Sequence, residues 1–507
     1  MNFISTRGGD KVTGAQAILQ GIAVDGGLFV PEKLPKVTKE EFSAMAEMSY
    51  PERVAFILGK FFGEELGQEF LKEVCEKAYA SFTSSDPAPL IKIDDGFYIL
   101  ELYHGPTCSY KDMSMVLFPA LLKKSKELLG VKEDILLLTA TSGDAGKSAL
   151  ENFKDEPNVK VAVFYPDEGV AKMQRLQMSI QDGDNLFVAA VSGSFDECQK
   201  TVKKLLVDES FKEELLKKNT RVSTPNSINF VRIAAQITYY FSAYLDMLSA
   251  GRIEEDEKID FVVPTGNFGN VMAGWYAKHM GLPIRKLLCS SNRNKVLADF
   301  FTTGKYDTKR NFYRTMSPSM DLQIASNLER LLFEVSGRNA GQTADRMKNL
   351  LEKGEYSITM SEKAKLDEDF YSGFASEDDT VEAMYDLFEE YGYPMDTHTG
   401  VALAVYAEYA DKKDKKDFTS TVVLSTGNPY KFPQDVLYAL SGNDVKDSFK
   451  GVKRLNLLTA MKPPKCLVDL RYRPLRFKKV YPLDIKKIPP LIMDLLDGTI
   501  IPVPDKK

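Results

Sequence analysis

Histidine is nearly absent: the chain of 507 residues holds three. His104, His279 and His398 lie far apart, no H-E-x-x-H occurs, and no Cys/His cluster has zinc spacing. Histidine-built metal chemistry is therefore not expected. Cysteine is scarce too. Cys75, Cys108, Cys198, Cys289 and Cys466 form no C-x-x-C pair, and an odd, sparse set in a large chain suits a reducing compartment. The stretch Met1 to Asp10 lacks a basic head followed by an apolar run, so no secretory signal is expected and the location expected is cytoplasmic. No apolar run approaches the ~18 residues of a spanning helix, which speaks against a membrane role. The G-x-S-x-G elbow of a hydrolase is missing. Charge of one sign is also lacking: 66 Lys plus Arg against 72 Asp plus Glu leave a net charge of −6. That balance gives no general attraction to a nucleic-acid backbone or an anionic membrane. If the chain is an enzyme, Lys, Asp, Thr and backbone amides are the expected tools, with or without an organic cofactor.

At ~100–200 residues per domain the length implies two to four domains. The first ~90 residues read as mixed and largely helical, with helical spacing over 40–49, 52–62 and 64–82. The stretch Ser84-Ser85-Asp86-Pro87-Ala88-Pro89 breaks that pattern and marks a boundary, giving an N-terminal module over 1–90. Apolar runs then alternate with helical stretches. Strands are expected at 135–139, 159–165, 186–191, 259–263, 285–289 and 420–425. Short buried strands between helices imply α/β architecture with open parallel sheets. Phe230, Ile233, Ile237, Phe241, Tyr244 and Leu248 make one apolar stripe, so a core helix is expected over 228–248, with one sheet on each side. The body runs over 91–435, its smaller subdomain over about 110–230. The segment 436–507 is a C-terminal extension. From Gly451 it is rich in Lys, Arg and Pro, and is expected to be solvated.

Four loops could carry chemistry. Pro264-Thr265-Gly266-Asn267-Phe268-Gly269-Asn270 follows a strand and opens a helix. Its glycines allow close backbone approach, and the helix N-terminus favours an anion such as phosphate. The same spacing also suits a plain strand-to-helix turn. Thr139 to Gly146 offers hydroxyls and N–H groups to a carboxylate or phosphate, and Asp144 there is either functional or a helix cap. His104 to Asp112 holds Lys111 in a Gly/Pro loop. That lysine is a surface residue unless the loop is buried, where a desolvated amine can form an imine. Ser425 to Phe432 lies beyond the end of a strand, where open α/β sheets bind ligands, although an ordinary turn would look the same.

Taken together, these loops resemble threonine synthase in its longer microbial and fungal form, within the fold-type II pyridoxal-phosphate enzymes (tryptophan synthase β-like). The resemblance starts at Ser5-Thr6-Arg7-Gly8 and the 21–31 segment Gly-Ile-Ala-Val-Asp-Gly-Gly-Leu-Phe-Val-Pro. It continues through Glu101 to Asp112, the Thr-Ser-Gly-Asp loop and the Gly-Asn-Phe-Gly loop, and ends at Lys431-Phe432. By that resemblance Lys111 holds pyridoxal 5′-phosphate as a Schiff base, and Gly266, Asn267, Phe268, Gly269 and Asn270 form the cup for its phosphate. Thr426 faces the pyridine nitrogen as a neutral hydroxyl, which tempers the electron sink. Thr141, Ser142 and Gly143 bind the substrate carboxylate, with Asp144 near the cofactor's ring hydroxyl. Tyr110 stands where the family usually has Phe, Ala145 where it has Thr, and Gly427-Asn428 where it has Ala-His.

The resemblance implies a lyase that converts O-phospho-L-homoserine and water to L-threonine and phosphate by γ-elimination and β-addition, the last step of threonine biosynthesis. Lys111 would serve several proton transfers. The substrate phosphate needs a second anion site, for which Ser142, Arg7, Lys431 and the 141–146 backbone are the candidates. No metal is implied, and a small-molecule substrate is expected, with a monomer as the first expectation for the assembly and a dimer as the alternative. The rival readings are a related lyase (an O-phosphothreonine phospholyase or a serine/threonine dehydratase) and a catalytically silent binding protein.

Overall fold

A computed structural model describes residues 1–484 and 486–498 of the chain; Ile485 and the end of the extension, 499–507, lie outside the described residues. The N-terminal helices begin where capping chemistry meets apolar spacing. Thr38 Oγ1 accepts from the Glu41 N–H at 3.2 Å and Glu41 Oε2 accepts from the Thr38 N–H at 2.9 Å, a reciprocal cap that starts the Lys39–Ala46 helix. The Tyr50–Leu66 helix buries Val54, Ile57, Leu58, Phe61 and Phe62 on one face. Phe62 stacks on Phe3, at 5.5 Å between centroids, and Phe3 lies in the strand Asn2–Ser5. That strand sits between Val12–Thr13 and Phe29–Pro31 in a small antiparallel sheet, so the mixed character expected of this region includes a sheet.

Two larger sheets follow. The first has the order Phe370–Phe374, Ile284–Ser291, Ile259–Pro264, Thr421–Ser425, Phe97–Glu101, Leu90–Asp94, parallel except for the last pair. The second has the order Val480–Pro482, Leu186–Ser192, Val159–Pro166, Asp134–Ala140, Thr220–Ser223, and is parallel throughout. Buried β-branched and leucine-rich runs suit strands covered on both faces. The expected core helix spans Phe230–Ser249 and is buried on nearly every side. Asn229 caps it, accepting from the Val231 N–H at 3.3 Å and donating to the Ile18 carbonyl at 3.0 Å, which ties the N-terminal region to the body. Further along, the Tyr240 ring meets Phe261 of the first sheet edge-on, 4.9 Å between centroids. No helix among the described residues is long and apolar enough to cross a membrane.

The C-terminal extension departs from the solvated reading. Its Val480–Pro482 segment adds an edge strand to the second sheet, and Phe477, Ile488, Leu491 and Ile492 join the main core. The physical reason lies under the charge. Ile488, Leu491, Ile492 and Leu495 recur at helical spacing on the Ile488–Leu496 helix and give it an apolar face, while the exposed lysines and arginines lie in the segment before it, 471–487. Ile492 is fully buried. Ile492→Ala is expected to destabilise the fold by about 2–5 kcal/mol in urea unfolding, whereas a solvated tail would give a change near zero.

Candidate functional site

The turn carrying Lys111 is fixed from two directions. It follows the Phe97–Glu101 strand and precedes the short Asp112–Met115 helix. The Tyr110 N–H donates to the Thr426 carbonyl at 3.0 Å, the Asn428 N–H donates to the Cys108 carbonyl at 3.1 Å, and Ser109 pairs with Gly427 in an isolated antiparallel bridge. The loop after the Thr421–Ser425 strand thus braces the lysine turn. Below it, Asp112 is wholly buried and accepts from the Thr107 N–H at 2.8 Å, Thr107 Oγ1 at 2.7 Å and Ser148 Oγ at 2.6 Å. Gly105 is required here, because a Cβ there would lie 2.4 Å from the Asp112 Cβ.

One cleft at the ends of the strands is lined by Tyr110, Lys111, Asp144, Gly266, Ser319, Met320, Asp396, His398, Thr426 and Gly427. The lysine of the third loop, the aspartate of the second, the first glycine of the Gly-Asn-Phe-Gly loop and the threonine of the fourth therefore meet at one place. Lys111 Nζ donates to Tyr110 Oη and lies over the Tyr110 ring, 4.0 Å from its centroid. The phenol holds the amine by a hydrogen bond and a cation–π contact together.

Asp144 opens the Asp144–Asn152 helix and is buried. It accepts from Ser109 Oγ at 2.9 Å and Gln174 Nε2 at 2.6 Å, and pairs with the fully buried Lys431 Nζ at 2.6 Å. Burial acts to raise the Asp144 pKa, but the charge and hydrogen bond of Lys431 outweigh it and hold the carboxyl below the ordinary range. In turn burial acts to lower Lys431, and Asp144 outweighs it upward. Lys431 also donates to the Thr107 carbonyl at 3.0 Å.

The Gly-Asn-Phe-Gly loop starts the Gly269–Met280 helix, which no side chain caps. Phe268 turns the chain at φ 63 and is buried against Phe301. Gly266 is obligatory, because a Cβ would lie 2.5 Å from the Ser319 carbonyl oxygen. Asn267 and Gly269 pack beside Asn327, whose Nδ2 donates to the Asn267 carbonyl at 3.0 Å. Asn270 Oδ1 accepts from Tyr239 Oη at 2.5 Å and Tyr240 Oη at 2.9 Å. The side chains of Phe268 and Asn270 therefore build the loop.

Thr141 closes its own loop, with Oγ1 accepting from the N–H groups of Gly143 and Gly146, each at 2.9 Å. Gly143 stands at φ 139 with Gln174 behind it, and Ser142 is half-buried beside it. These three lead into Asp144 without lining the cleft themselves. Arg7 is set apart: its Nε and Nη2 make a two-point pair with Glu329, each contact 2.8 Å, which locks the N-terminal region to the Leu328–Val335 helix.

Sequence reading did not single out Asp396, His398 and Ser319 as lining the cleft. The Ser319 N–H donates to His398 Nε2 at 3.1 Å, and His398 Nδ1 faces Asp396 Oδ2 at 2.8 Å. Asp396 also caps the Thr397–Lys412 helix. The local signal was the Asp-Thr-His-Thr run, a capping aspartate two residues before a histidine.

A family model described as "Threonine synthase N terminus" matches residues 2–79, and one described as "Pyridoxal-phosphate dependent enzyme" matches residues 84–427. The chain is 35% identical over 437 residues to a threonine synthase of Pseudomonas aeruginosa, covering 86% of this chain and 90% of that one. A PLP-bound threonine synthase crystal structure from Brucella melitensis superposes at a TM-score of 0.84 with 32% identity, over 98% of this chain and 99% of that one. The yeast threonine synthase crystal structure matches at the same TM-score with 30% identity, again over 98% and 99%. With both regions matched in order along a shared fold, the chain belongs to the threonine synthase family of pyridoxal-phosphate-dependent enzymes.

Proposed function

We propose that the protein makes L-threonine and phosphate from O-phospho-L-homoserine and water, with Lys111 as the residue that holds pyridoxal phosphate. The observation that carries this reading is the meeting of Lys111, Asp144, Gly266 and Thr426 in one cleft. The residues fit the cofactor. Gly266 lines the cleft just before an uncapped helix N-terminus, a natural seat for phosphate. Ser319 Oγ and Asn270 Nδ2 are buried without a hydrogen-bond partner among the described residues. Pyridoxal phosphate, when bound, delocalises the negative charge left on a substrate by proton loss.

The chain's own residues supply the rest. Lys111 Nζ would carry one proton at a time: the Cα proton on to the departing phosphate, then the Cβ proton to Cγ, and last a proton of the water that adds at Cβ back to Cα. Tyr110 Oη orients that amine. Backbone N–H groups of Gly266 to Asn270 would hold the cofactor phosphate. Thr426, which lines the cleft, would offer the cofactor ring a neutral hydroxyl. Asp144, kept ionised by Lys431, would face the cofactor's ring hydroxyl, and Thr141 and Gly143, bonded to each other, would hold the turn that offers Ser142 from beside the cleft to the substrate carboxylate. Lys431 works through Asp144, and Arg7 works by fixing the N-terminal region (1–90) over the body (91–435). The same reading makes the enzyme a cytoplasmic monomer, which size-exclusion chromatography and cell fractionation check.

The direct test is product analysis. Purified holoenzyme given O-phospho-L-homoserine is expected to release threonine and phosphate in equal amounts. Formation of 2-oxo acids instead, or turnover of O-phosphothreonine or serine in preference, would assign it to the related lyases. Gly266→Ala is expected to weaken cofactor binding about tenfold or more in equilibrium dialysis, because the new methyl group must displace the Ser319 backbone.

A further inference from the structure

The cavities, buried ionisable groups and cysteines point to one feature that the reaction does not use. Cys108 Sγ and Cys466 Sγ lie 3.3 Å apart, although 358 residues separate them. Cys108 is buried in the lysine turn, three residues before Lys111, and adopts φ 60. Its carbonyl accepts from the Asn428 N–H at 3.1 Å, one of the bonds bracing that turn. Cys466 is exposed, on the short Lys465–Val468 helix of the C-terminal extension. Next to it Leu467 and Leu470 are buried in the same core cluster as Cys108, Tyr430 and Phe432, so the extension already rests on the back of the site.

We propose that Cys466 and Cys108 are a redox-active pair, which a peroxide converts to a disulfide that bolts the extension to the Lys111 turn and slows the enzyme. The chemistry balances. The Cys466 thiolate attacks one peroxide oxygen and the O–O bond breaks. Cys466 becomes a sulfenic acid, and the departing hydroxide leaves as water with the thiol proton. The Cys108 sulfur then attacks the sulfenic sulfur, the S–O bond breaks, and a second water carries away the Cys108 proton. Two thiols and one peroxide give one disulfide and two waters, the two electrons coming from the sulfurs. Exposure selects Cys466 as the first to react and burial makes Cys108 the resolving partner. Acidity agrees: the hydrogen bond with Cys108, then the nearby Lys431 ammonium, lower the Cys466 thiol, whereas that same contact and burial raise Cys108.

Forming the bond draws the two sulfurs from contact to bonding distance and pulls on the turn that positions Lys111. The loss of rate rests on the role given to Lys111, but the bond itself does not, so the two are read separately. Holoenzyme treated with hydrogen peroxide and digested without reductant is expected to yield the peptides of Cys108 and Cys466 joined, lighter by two hydrogens than their sum. Turnover of phosphohomoserine is expected to fall at least about tenfold and to return with dithiothreitol. Cys466→Ser is expected to turn over normally before treatment, to form no cross-link and to keep its rate in peroxide. Absence of the joined peptides, a cross-link with unchanged turnover, or equal inactivation of the Cys466→Ser variant would each overturn the proposal. If the untreated enzyme makes no threonine, the reading of its function fails, while the peptide map still decides the disulfide.

Discussion

Lys111→Ala is expected to lower threonine formation by at least about 10³-fold and to abolish the covalent hold on the cofactor. Two roles disappear with one amine: the attachment and the proton carrier. The turn itself should persist, because the Tyr110 N–H to Thr426 carbonyl and Asn428 N–H to Cys108 carbonyl bonds are backbone contacts. Folding is therefore expected to change little, and circular dichroism with a urea melt separates lost chemistry from lost structure. Tyr110→Phe gives a graded control. It removes the hydroxyl that holds Lys111 Nζ while leaving the amine, so its loss of rate should be much the smaller of the two.

Lys431→Met is expected to destabilise the protein by about 3–5 kcal/mol, because it leaves the Asp144 carboxylate buried without its cation. The pH dependence distinguishes this from a loss of packing. In the native pair the folded pKa of Asp144 is lowered. Its contribution to stability is fully present above the unfolded value of about 3.9 and is lost as pH falls through the lowered folded value. Without Lys431 burial, the largest influence, is opposed only by the weaker Gln174 hydrogen bond and His398, so the folded pKa of Asp144 rises and the variant loses stability as pH climbs. The deficit against the native enzyme should then be largest near neutral pH and shrink towards pH ~4. Adding Asp144→Asn removes the stranded charge and is expected to restore much of the stability, which a double-mutant cycle in urea measures. A deficit independent of pH and unrelieved by that second change would mean that the pair does not hold the site.

The parallel architecture was legible because its central strands are uninterrupted apolar runs. The runs at 135–139, 159–165 and 259–263 fall within Asp134–Ala140, Val159–Pro166 and Ile259–Pro264. Strands at the margins were not. Phe370–Phe374 carries Ser372 and Gly373 in its middle, and Thr220–Ser223 is short with an exposed Arg221, so neither shows the continuous run that marks a central strand. In the site, Gly266 could be picked out by spacing, but the reason it must be glycine is the Ser319 carbonyl, 53 residues later in sequence. Lys431 and Arg7 both appeared as free cations able to meet a substrate anion. Their partners, Asp144 and Glu329, are 287 and 322 residues away and leave no local trace. Local chemistry such as caps, turns and stripes can be read along the chain, whereas charge pairing across the fold cannot.

The most direct test of the account is to reduce the holoenzyme with sodium borohydride, digest it and locate the modified residue by mass spectrometry. The account predicts a phosphopyridoxyl group on the peptide containing Lys111 and on that lysine alone. The group on any other lysine, or no modification in an enzyme that goes on making threonine, would contradict it.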